Sequence, residues 1–578
     1  MSWEIANRNL IAKAISELYF EEIISQEVRE IKKGLYALKI EENLTYIFEA
    51  YKSVWCHLVI DERSLKRSDG LELDAANFFK ETQHLTKMND ITLANFMEEM
   101  LHTLYSDQTI LKKKISSQEM SQLGFLEVES YLDGHPKIIL NKGRIGWSPD
   151  DLSMFSPEHA KEIQFYRVAI KKNLVTVNHQ KEKFFSEIIY ADLEKREINL
   201  LKEKLANKKY NAESYYIIPI HPWQWENRIK IFFQKDISKN NIIFLSSAGD
   251  SYKPYISLRT FSNCSNPYLC DVKLPISILN TSCIRGIPAR YISIASEISE
   301  GVEAIIKQDD CLFNANVDCL KDIAAFSYVE PSYKNIPGAP YQYKEFLGAV
   351  WRESSVTKLK SNEKCLMTGA LSYLDGNKKS LIGCLIENSS LTIDEWLEEY
   401  FKKVVIPLYH LQSHYGIGLV AHGQNTILKL NNNAPSGLII KDFHGDLRLN
   451  KNFPAETRKY FSDKTIEKLD ILPSDHIIYD LITGHFISVL RFISQALFLS
   501  HGYKEKKFYS VLGTIIHDYE KKYPTRSKTP SLLTPNYHRV LLNKVRFIIG
   551  YQDTAQRPKP QLGNPLLNPL IEKDYLYA

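Results

Sequence analysis

Apolar residues recur at helical spacing near the start of the chain, at Leu10, Ala14 and Leu18 and then Ile23 and Ile24, which predicts a helix within residues 5–28. Phe96, Met97, Met100, Leu101 and Leu104 predict a second over 93–111. Between them, 44–48 and 54–60 have the β-branched and aromatic character of strands. Further on, Ser156-Pro157-Glu158 has the order of a helix start, with proline at the first helical position, and the expected helix runs through Ile163, Phe165, Tyr166 and Val168. Strand patterns follow at 174–177, 215–220, 242–245, 255–260 and 272–278, consistent with one antiparallel or mixed sheet, and the Lys- and Glu-rich stretch 181–208 reads as a helical excursion from it.

The Pro- and Gly-containing segment 331–340 is the expected boundary between this region and the next. Beyond it, Thr392-Ile393-Asp394-Glu395 is a capping box that opens a helix carrying Trp396, Tyr400, Val404 and Leu408. Ile478, Leu481, Phe486, Val489, Leu490, Phe492 and Ile493 are apolar nearly all round, the pattern of a buried helix. The tail 557–571, rich in Pro and Asn, is expected to be ordered where it packs onto the body.

At 578 residues with 44% apolar and 25% charged positions, the chain has enough material for two or three cores. Its net charge of +4 and its short basic runs, Lys112-Lys113-Lys114 and Lys504-Glu505-Lys506-Lys507, argue against nucleic acid as a partner. No run of about 18 apolar residues suits a membrane span, and Met-Ser-Trp-Glu-Ile does not open a signal peptide. Eight cysteines without a Cys-x-x-Cys pair read as reduced thiols, so a cytoplasmic protein is expected.

Two constellations carry chemistry. In the first, Ser257-Leu258-Arg259-Thr260 ends an expected strand, a turn-rich stretch follows, and then come Val272-Lys273-Leu274 and Thr281-Ser282-Cys283-Ile284-Arg285. Three cations and four hydroxyls among apolar residues suit a polyanion, because Arg offers a planar fork, Lys a compact charge and hydroxyls the remaining bonds. There is neither a phosphate-cradling Gly-x-x-x-x-Gly-Lys loop nor a Gly-x-Gly-x-x-Gly turn.

In the second, residues 416–430 and 438–446 read as strand, hairpin loop and return strand, with Asn425 beginning one strand and Asp442 ending the other. Antiparallel pairing brings both to the same end, beside His422 and Gln424. A carboxylate and an amide oxygen next to phosphates suit Mg²⁺. The order resembles the catalytic-loop Asn, hairpin and Asp-Phe-x-Gly of protein kinases, but Val420 stands where the kinase's catalytic Asp belongs. His135, near Lys142 and Arg144, could meet the carboxylates of an acidic substrate; His221 beside Trp223 and Trp225 reads equally as a pocket wall or as a satisfied structural histidine.

The pieces Asn-Lys-Gly-Arg-Ile-Gly (141–146), His-Pro-Trp-Gln (221–224), Ser-Leu-Arg-Thr (257–260), Val-Lys-Leu (272–274), Thr-Ser-Cys-Ile-Arg (281–285), Ala-His-Gly-Gln-Asn (421–425) and Lys-Asp-Phe (441–443) stand in one order over about 300 residues. In this the chain resembles the IucA/IucC family of siderophore synthetases that work without a nonribosomal peptide synthetase. The resemblance implies an α+β protein with a thumb-like region (1–130), a sheet-bearing fingers-like region (131–340) and a mainly helical palm-like region (341–578), with a distantly kinase-like nucleotide site. It implies adenylation of a carboxylate of citrate or a citryl derivative with ATP and Mg²⁺, attack by an amine, and a homodimer.

Carried over, Ser257, Arg259, Thr260, Lys273, Arg285, His422, Gln424, Asn425 and Asp442 would hold ATP, with Asn425 and Asp442 also on the metal. Arg285, Lys273 and His422 would be catalytic, and His135, Lys142, Arg144, Thr281 and Arg285 would face the carboxylate substrate. Two positions depart from the common pattern: Ile138-Ile139 replaces a second His-Pro, and Val420 replaces a Glu found in some members. A small-molecule kinase and a non-catalytic polycarboxylate-binding protein are the alternative readings.

Overall fold

The computed structural model describes residues 2–281, 283–551 and 560–571; Ser282 of the first constellation and residues 557–559 of the tail lie outside them. The N-terminal part packs helix Ser2–Phe20 against helix Asp90–Lys112 and a five-stranded sheet. Ile11, Ile15, Leu18, Phe48, Phe79 and Met100 fill its core. The strand expected over 54–60 begins only at Leu58, because Val54 to His57 close a tight turn with the Ser53 amide donating to the His57 carbonyl.

The central element is an eight-stranded sheet in which every neighbouring pair is antiparallel. Its order is Thr176–His179, Asp322–Ser327, Gly348–Arg352, Asp271–Lys273, Thr260–Asn263, Ile242–Pro254, Ile163–Lys171 and Tyr215–Ile220. The strand Gly348–Arg352 thus continues this sheet past residue 340. Three expectations are corrected here. Residues 163–168 are strand, not helix: Ile163, Phe165 and Arg167 are buried on one side, and the strand is paired along both edges. Pro157 starts only a three-residue turn, Pro157–His159, while the helix lies just before it at Pro149–Phe155, capped by Ser148 Oγ accepting from the Asp151 amide. Pro275 splits 272–278, since it has no amide to give a ladder; Asp271–Lys273 stays in the large sheet while Ile276–Asn280 joins Cys283–Arg285 and Gly143–Ile145 in a sheet of three.

The last part centres on the hairpin Thr426–Asn431 and Ala434–Ile440, flanked by Glu363–Met367 and, in parallel, Val317–Cys319. Helices cover it. Thr392 caps Ile393–Tyr400 with the reciprocal Glu395 bond that the sequence predicts. A continuous helix over Ser474–His501 is long and apolar enough to cross a membrane, but 78% of its apolar window is buried inside the molecule, where Phe486, Leu490, Ile493 and Leu497 belong to the largest core. Its middle, Ile482–Leu490, is wound as π-helix. In the tail, Gln561–Leu567 pairs with Asn536–Leu541.

Candidate active site

A cleft of about 1590 Å³ lies where the three parts meet. Twelve of the thirteen predicted site residues line it; Thr260 is buried beside it, paired in register with Lys273. The two constellations therefore face each other.

The contact between them is direct. Lys273 Nζ donates to Asp442 Oδ1 at 2.5 Å, and Arg352, buried behind, reaches the same oxygen at 3.3 Å while its Nε holds Asp322 at 2.8 Å. The two cations keep the Asp442 carboxyl well below the usual carboxylate range against the effect of burial, and burial lowers the Lys273 amine to about 8. Asp442 comes from the hairpin as expected: Thr426 pairs with Ile440, and the Lys441 amide donates to the Asn425 carbonyl at 3.1 Å. The turn after the strand puts Asp442 at φ 68°, a left-handed conformation that aims its side chain back at the sheet.

Ser257 to Arg259 do not end a strand. They form the turn between Ile242–Pro254 and Thr260–Asn263, with Ser257 Oγ accepting from the Thr260 amide at 3.3 Å and Leu258 at φ 67°. The alternation expected there fails, yet Ser257 and Arg259 both reach the cleft. The Arg259 guanidinium donates to the Gly286 carbonyl, and the Leu274 amide closes back on the Arg259 carbonyl at 2.7 Å. One loop away, Arg285 donates to the carbonyls of Asn280 at 2.8 Å and Thr281 at 3.5 Å. Thr281 is itself tied to Asn141 and Lys142 by bonds of 2.9 and 3.1 Å. Lys142 and Arg144 are already matched, by Asp107 at 2.5 Å and by Glu158. His135 beside them is half-buried, and its desolvation, with several cations nearby, holds it neutral, its pKa well below the usual histidine range.

His422 sits in a clamped loop. Burial lowers its pKa, so the ring is neutral, and Nδ1 accepts from the Gln424 amide at 3.3 Å; the proton is then on Nε2, free to be donated to an anion. On one side the Gly369 amide donates to the Gly423 carbonyl at 3.2 Å, and a Cβ on Gly423 would meet Gly369 Cα at 2.6 Å. On the other, the π-helix brings Gly484 against the Ala421 amide. The next residue, His485, has an Nδ1–H that donates to the Ala421 carbonyl at 3.0 Å while its Nε2 takes the Tyr400 hydroxyl at 3.2 Å. π-Turns of this kind are frequent at functional sites.

Several cleft-side residues were not singled out from the sequence. Arg352 had one visible signal, a charge closing an apolar strand. Asp446 lines the cleft and accepts from Asn425 Nδ2 at 3.0 Å. Lys441 lies over Tyr255 and Phe125 and offsets the buried carboxyls of Glu129 and Asp271, both raised to about 7 chiefly by burial. Only long-range contacts reveal these. His221 resolves as structural: it is fully buried against Phe155 and Phe261, and burial lowers its pKa to about 3.

Residues 124–373 match the IucA / IucC family, and 394–555 match the family described as ferric iron reductase FhuF-like transporter. The chain is 33% identical over 583 residues to aerobactin synthase of Vibrio mimicus, covering 99% of this chain and 97% of that protein. The chain belongs to the IucA/IucC family. Another relative in it is the citryl-spermidine/3,4-dihydroxybenzoyl-citryl-spermidine:spermidine ligase of Bacillus anthracis, 26% identical with 97% of this chain and 93% of that protein covered. The structure superposes on aerobactin synthetase IucC of Klebsiella pneumoniae with a TM-score of 0.87, 29% identity and 98% of both chains covered. As an IucA/IucC synthetase, the protein is an ATP-dependent carboxylate–amine ligase of siderophore biosynthesis acting on citrate-type substrates, which displaces the kinase and binding-protein readings.

Proposed function

We propose that the acyl substrate is a citryl monoamide, one of whose remaining carboxylates is adenylated and passed to a second amine. The Bacillus anthracis relative, whose name specifies a citryl-amine acyl substrate, supports this by aligning over nearly the whole chain. The carboxylate oxygen attacks the α-phosphorus and pyrophosphate leaves; the amine nitrogen then attacks the acyl carbon, AMP leaves, and the nitrogen gives up its proton. Carboxylates need this activation because the free anion has no adequate leaving group.

The observation that carries the site assignment is the Lys273–Asp442 contact in the same cleft as Arg285 and His422. Ser257, Arg259, Lys273 and the Nε2–H of His422 would bind phosphate oxygens, with Gln424 in the same loop and Thr260 supporting Lys273 from the paired strand. Arg285 would stabilise the charge that develops between carboxylate and α-phosphate. His135, Lys142, Arg144 and Thr281 would orient the acyl group. The donor set of Asp442, Asp446 and Asn425, two carboxylates and an amide, suits Mg²⁺, which would neutralise phosphate charge when bound.

Thumb, fingers and palm are the proposed division, and a cytoplasmic homodimer the proposed form; Ile91, Leu101 and Tyr105, exposed along one face of helix Asp90–Lys112, support a second copy as partner. Light scattering that gives a monomer mass would reject the dimer. The function is tested by crossing citrate and citryl monoamides with amines, following pyrophosphate and AMP and weighing the products. Release of ADP without AMP overturns the chemistry, and adenylation of citrate in preference to every monoamide overturns the substrate.

A further inference from the structure

Helix Ser2–Phe20 forms one wall of the cleft, and neither the motifs nor the kinase-like geometry give it a role. Arg8, Asn9, Lys13 and Ser16 face the cleft from it. At 3.6 residues per turn, Asn9 and Ser16 share one line, with Lys13 about 40–60° to one side of it and Arg8 about 80–100° to the other, so the cleft-facing side of the helix carries two polar residues between two cations. Arg8 is half-buried, and its Nε is shielded from solvent with no hydrogen-bond partner among the described residues. A buried guanidinium N–H without an acceptor is costly and marks a place for one.

Lys13 lies deeper. Its Nζ donates to the His135 carbonyl at 3.2 Å, which uses one of three donors, and burial together with the nearby Lys142 charge lowers its pKa to about 8. The acids around it are Asp107, Asp133 and Glu17. Asp107 is engaged by Lys142 at 2.5 Å, and Glu17 by Lys137 at 3.3 Å and Arg491 at 2.5 Å. The hydrogen bond from Lys13 to His135, one of the residues proposed to orient the acyl group, sets Lys13 beside that pocket. The cleft, about 1590 Å³, exceeds the roughly 300–1,000 Å³ of a single small-molecule site, so it has room for more than a nucleotide.

We propose that Arg8 and Lys13 form a second carboxylate subsite, which binds a carboxylate other than the one that is adenylated. The proposal rests on the ligase reading above. Two substrates could bring that group: a spare carboxylate of the citrate-type acyl donor, or the α-carboxylate of an amino-acid amine. In either case a planar guanidinium and an ammonium meet two carboxylate oxygens, and substrates lacking the group are discriminated against by the unpaired cations they leave behind.

The full-length chain and its variants Arg8→Ala, Arg8→Lys and Lys13→Met are compared in two assays. The first is pyrophosphate release with citrate or a citryl monoamide and no amine. The second is product formation with an α-amino-acid amine such as lysine or the same amine lacking its carboxylate. If the acyl donor fills the subsite, Arg8→Ala raises the KM for the acyl substrate about tenfold or more in the first assay, leaves the KM for ATP unchanged, and is partly rescued by Arg8→Lys. If the amine fills it, the first assay is unaffected and the KM rises only for the carboxylated amine. KM values for acyl donor and amine all within twofold of the parent overturn the proposal. Should Lys13→Met fail to fold, the half-exposed Arg8 decides alone. Absence of carboxylate-dependent pyrophosphate release from the parent would instead sink the ligase reading.

Discussion

Lys273 Nζ stands 2.5 Å from Asp442 Oδ1 although 169 positions separate them, one on the central antiparallel sheet and the other at the end of the hairpin Thr426–Asn431 and Ala434–Ile440. The pair bridges two cores that are otherwise distinct, so it couples the integrity of the cleft to the charge of one carboxylate.

Asp442→Asn leaves Lys273 and Arg352 facing a neutral amide. Removing one partner of a buried pair costs about 3–5 kcal/mol; Asp442 is partly open to the cleft, so the expectation is the lower end of that range, seen as a reduced Tm. Mg²⁺-dependent turnover should fall, with more Mg²⁺ needed for half-maximal rate. Identical Mg²⁺ titrations of pyrophosphate release in parent and variant would remove Asp442 from the metal.

Arg285→Ala should lower kcat/KM for adenylation with little change in Tm, because the guanidinium's own hydrogen bonds are to carbonyls of its loop. A loss of about 2–5 kcal/mol of transition-state stabilisation, at least thirtyfold in rate, is the scale for an anion left without its cation. An unchanged kcat/KM excludes the assigned role.

The clamp on the His422 loop gives a separate test. A Cβ on Gly484 would stand 2.9 Å from the Ala421 nitrogen, and one on Gly423 2.6 Å from Gly369 Cα, where only backbone can move. Gly484→Ala and Gly423→Ala should each reduce kcat about tenfold or more through a shift of the loop, whereas Gly376→Ala, with open space around it, should not. Full activity in Gly484→Ala would show that the π-turn does not set the loop.

Glu129 predicts a pH effect on stability. Its carboxyl is raised from 4.5 to about 7 by burial, so between those values the native state holds a proton that the unfolded chain has released. Stability from this group is therefore fully present at low pH and lost as pH rises through that window. Glu129→Gln should flatten this part of the profile, making the variant relatively more stable at pH 8 than at pH 5. Urea midpoints at the two pH values check it; a difference between variant and parent that does not change with pH rejects the assignment.

What could be read in advance follows the range of the interaction. The hairpin bringing Asn425 and Asp442 together was legible because both strands and their turn are contiguous, and the Thr392 box because it spans four residues. Residues 163–168 were misread because a short apolar run satisfies both periods, and only pairing with two distant strands decides between them. Ser257 and Arg259 reach the cleft from a turn rather than from the expected strand: charge and hydroxyl content survive a turn, alternation does not. Arg8, Lys13 and Glu129 take their meaning from partners more than a hundred residues away or from the cleft itself, and nothing in their neighbours' pattern marks them.

Arg144, Thr281 and Asp442 on the cleft wall, and Leu258 between two residues that reach it, all have φ between 50° and 68°. L-residues visit that region reluctantly, at about 1–3 kcal/mol each where the surroundings force it. Glycine would relieve that strain, but it would also delete the Asp442 and Arg144 ion pairs and the buried Leu258 side chain, each of which holds the cleft wall in place. The strained backbone is therefore kept by the contacts it makes possible, and glycine at 144, 258 or 442 should lower both Tm and activity.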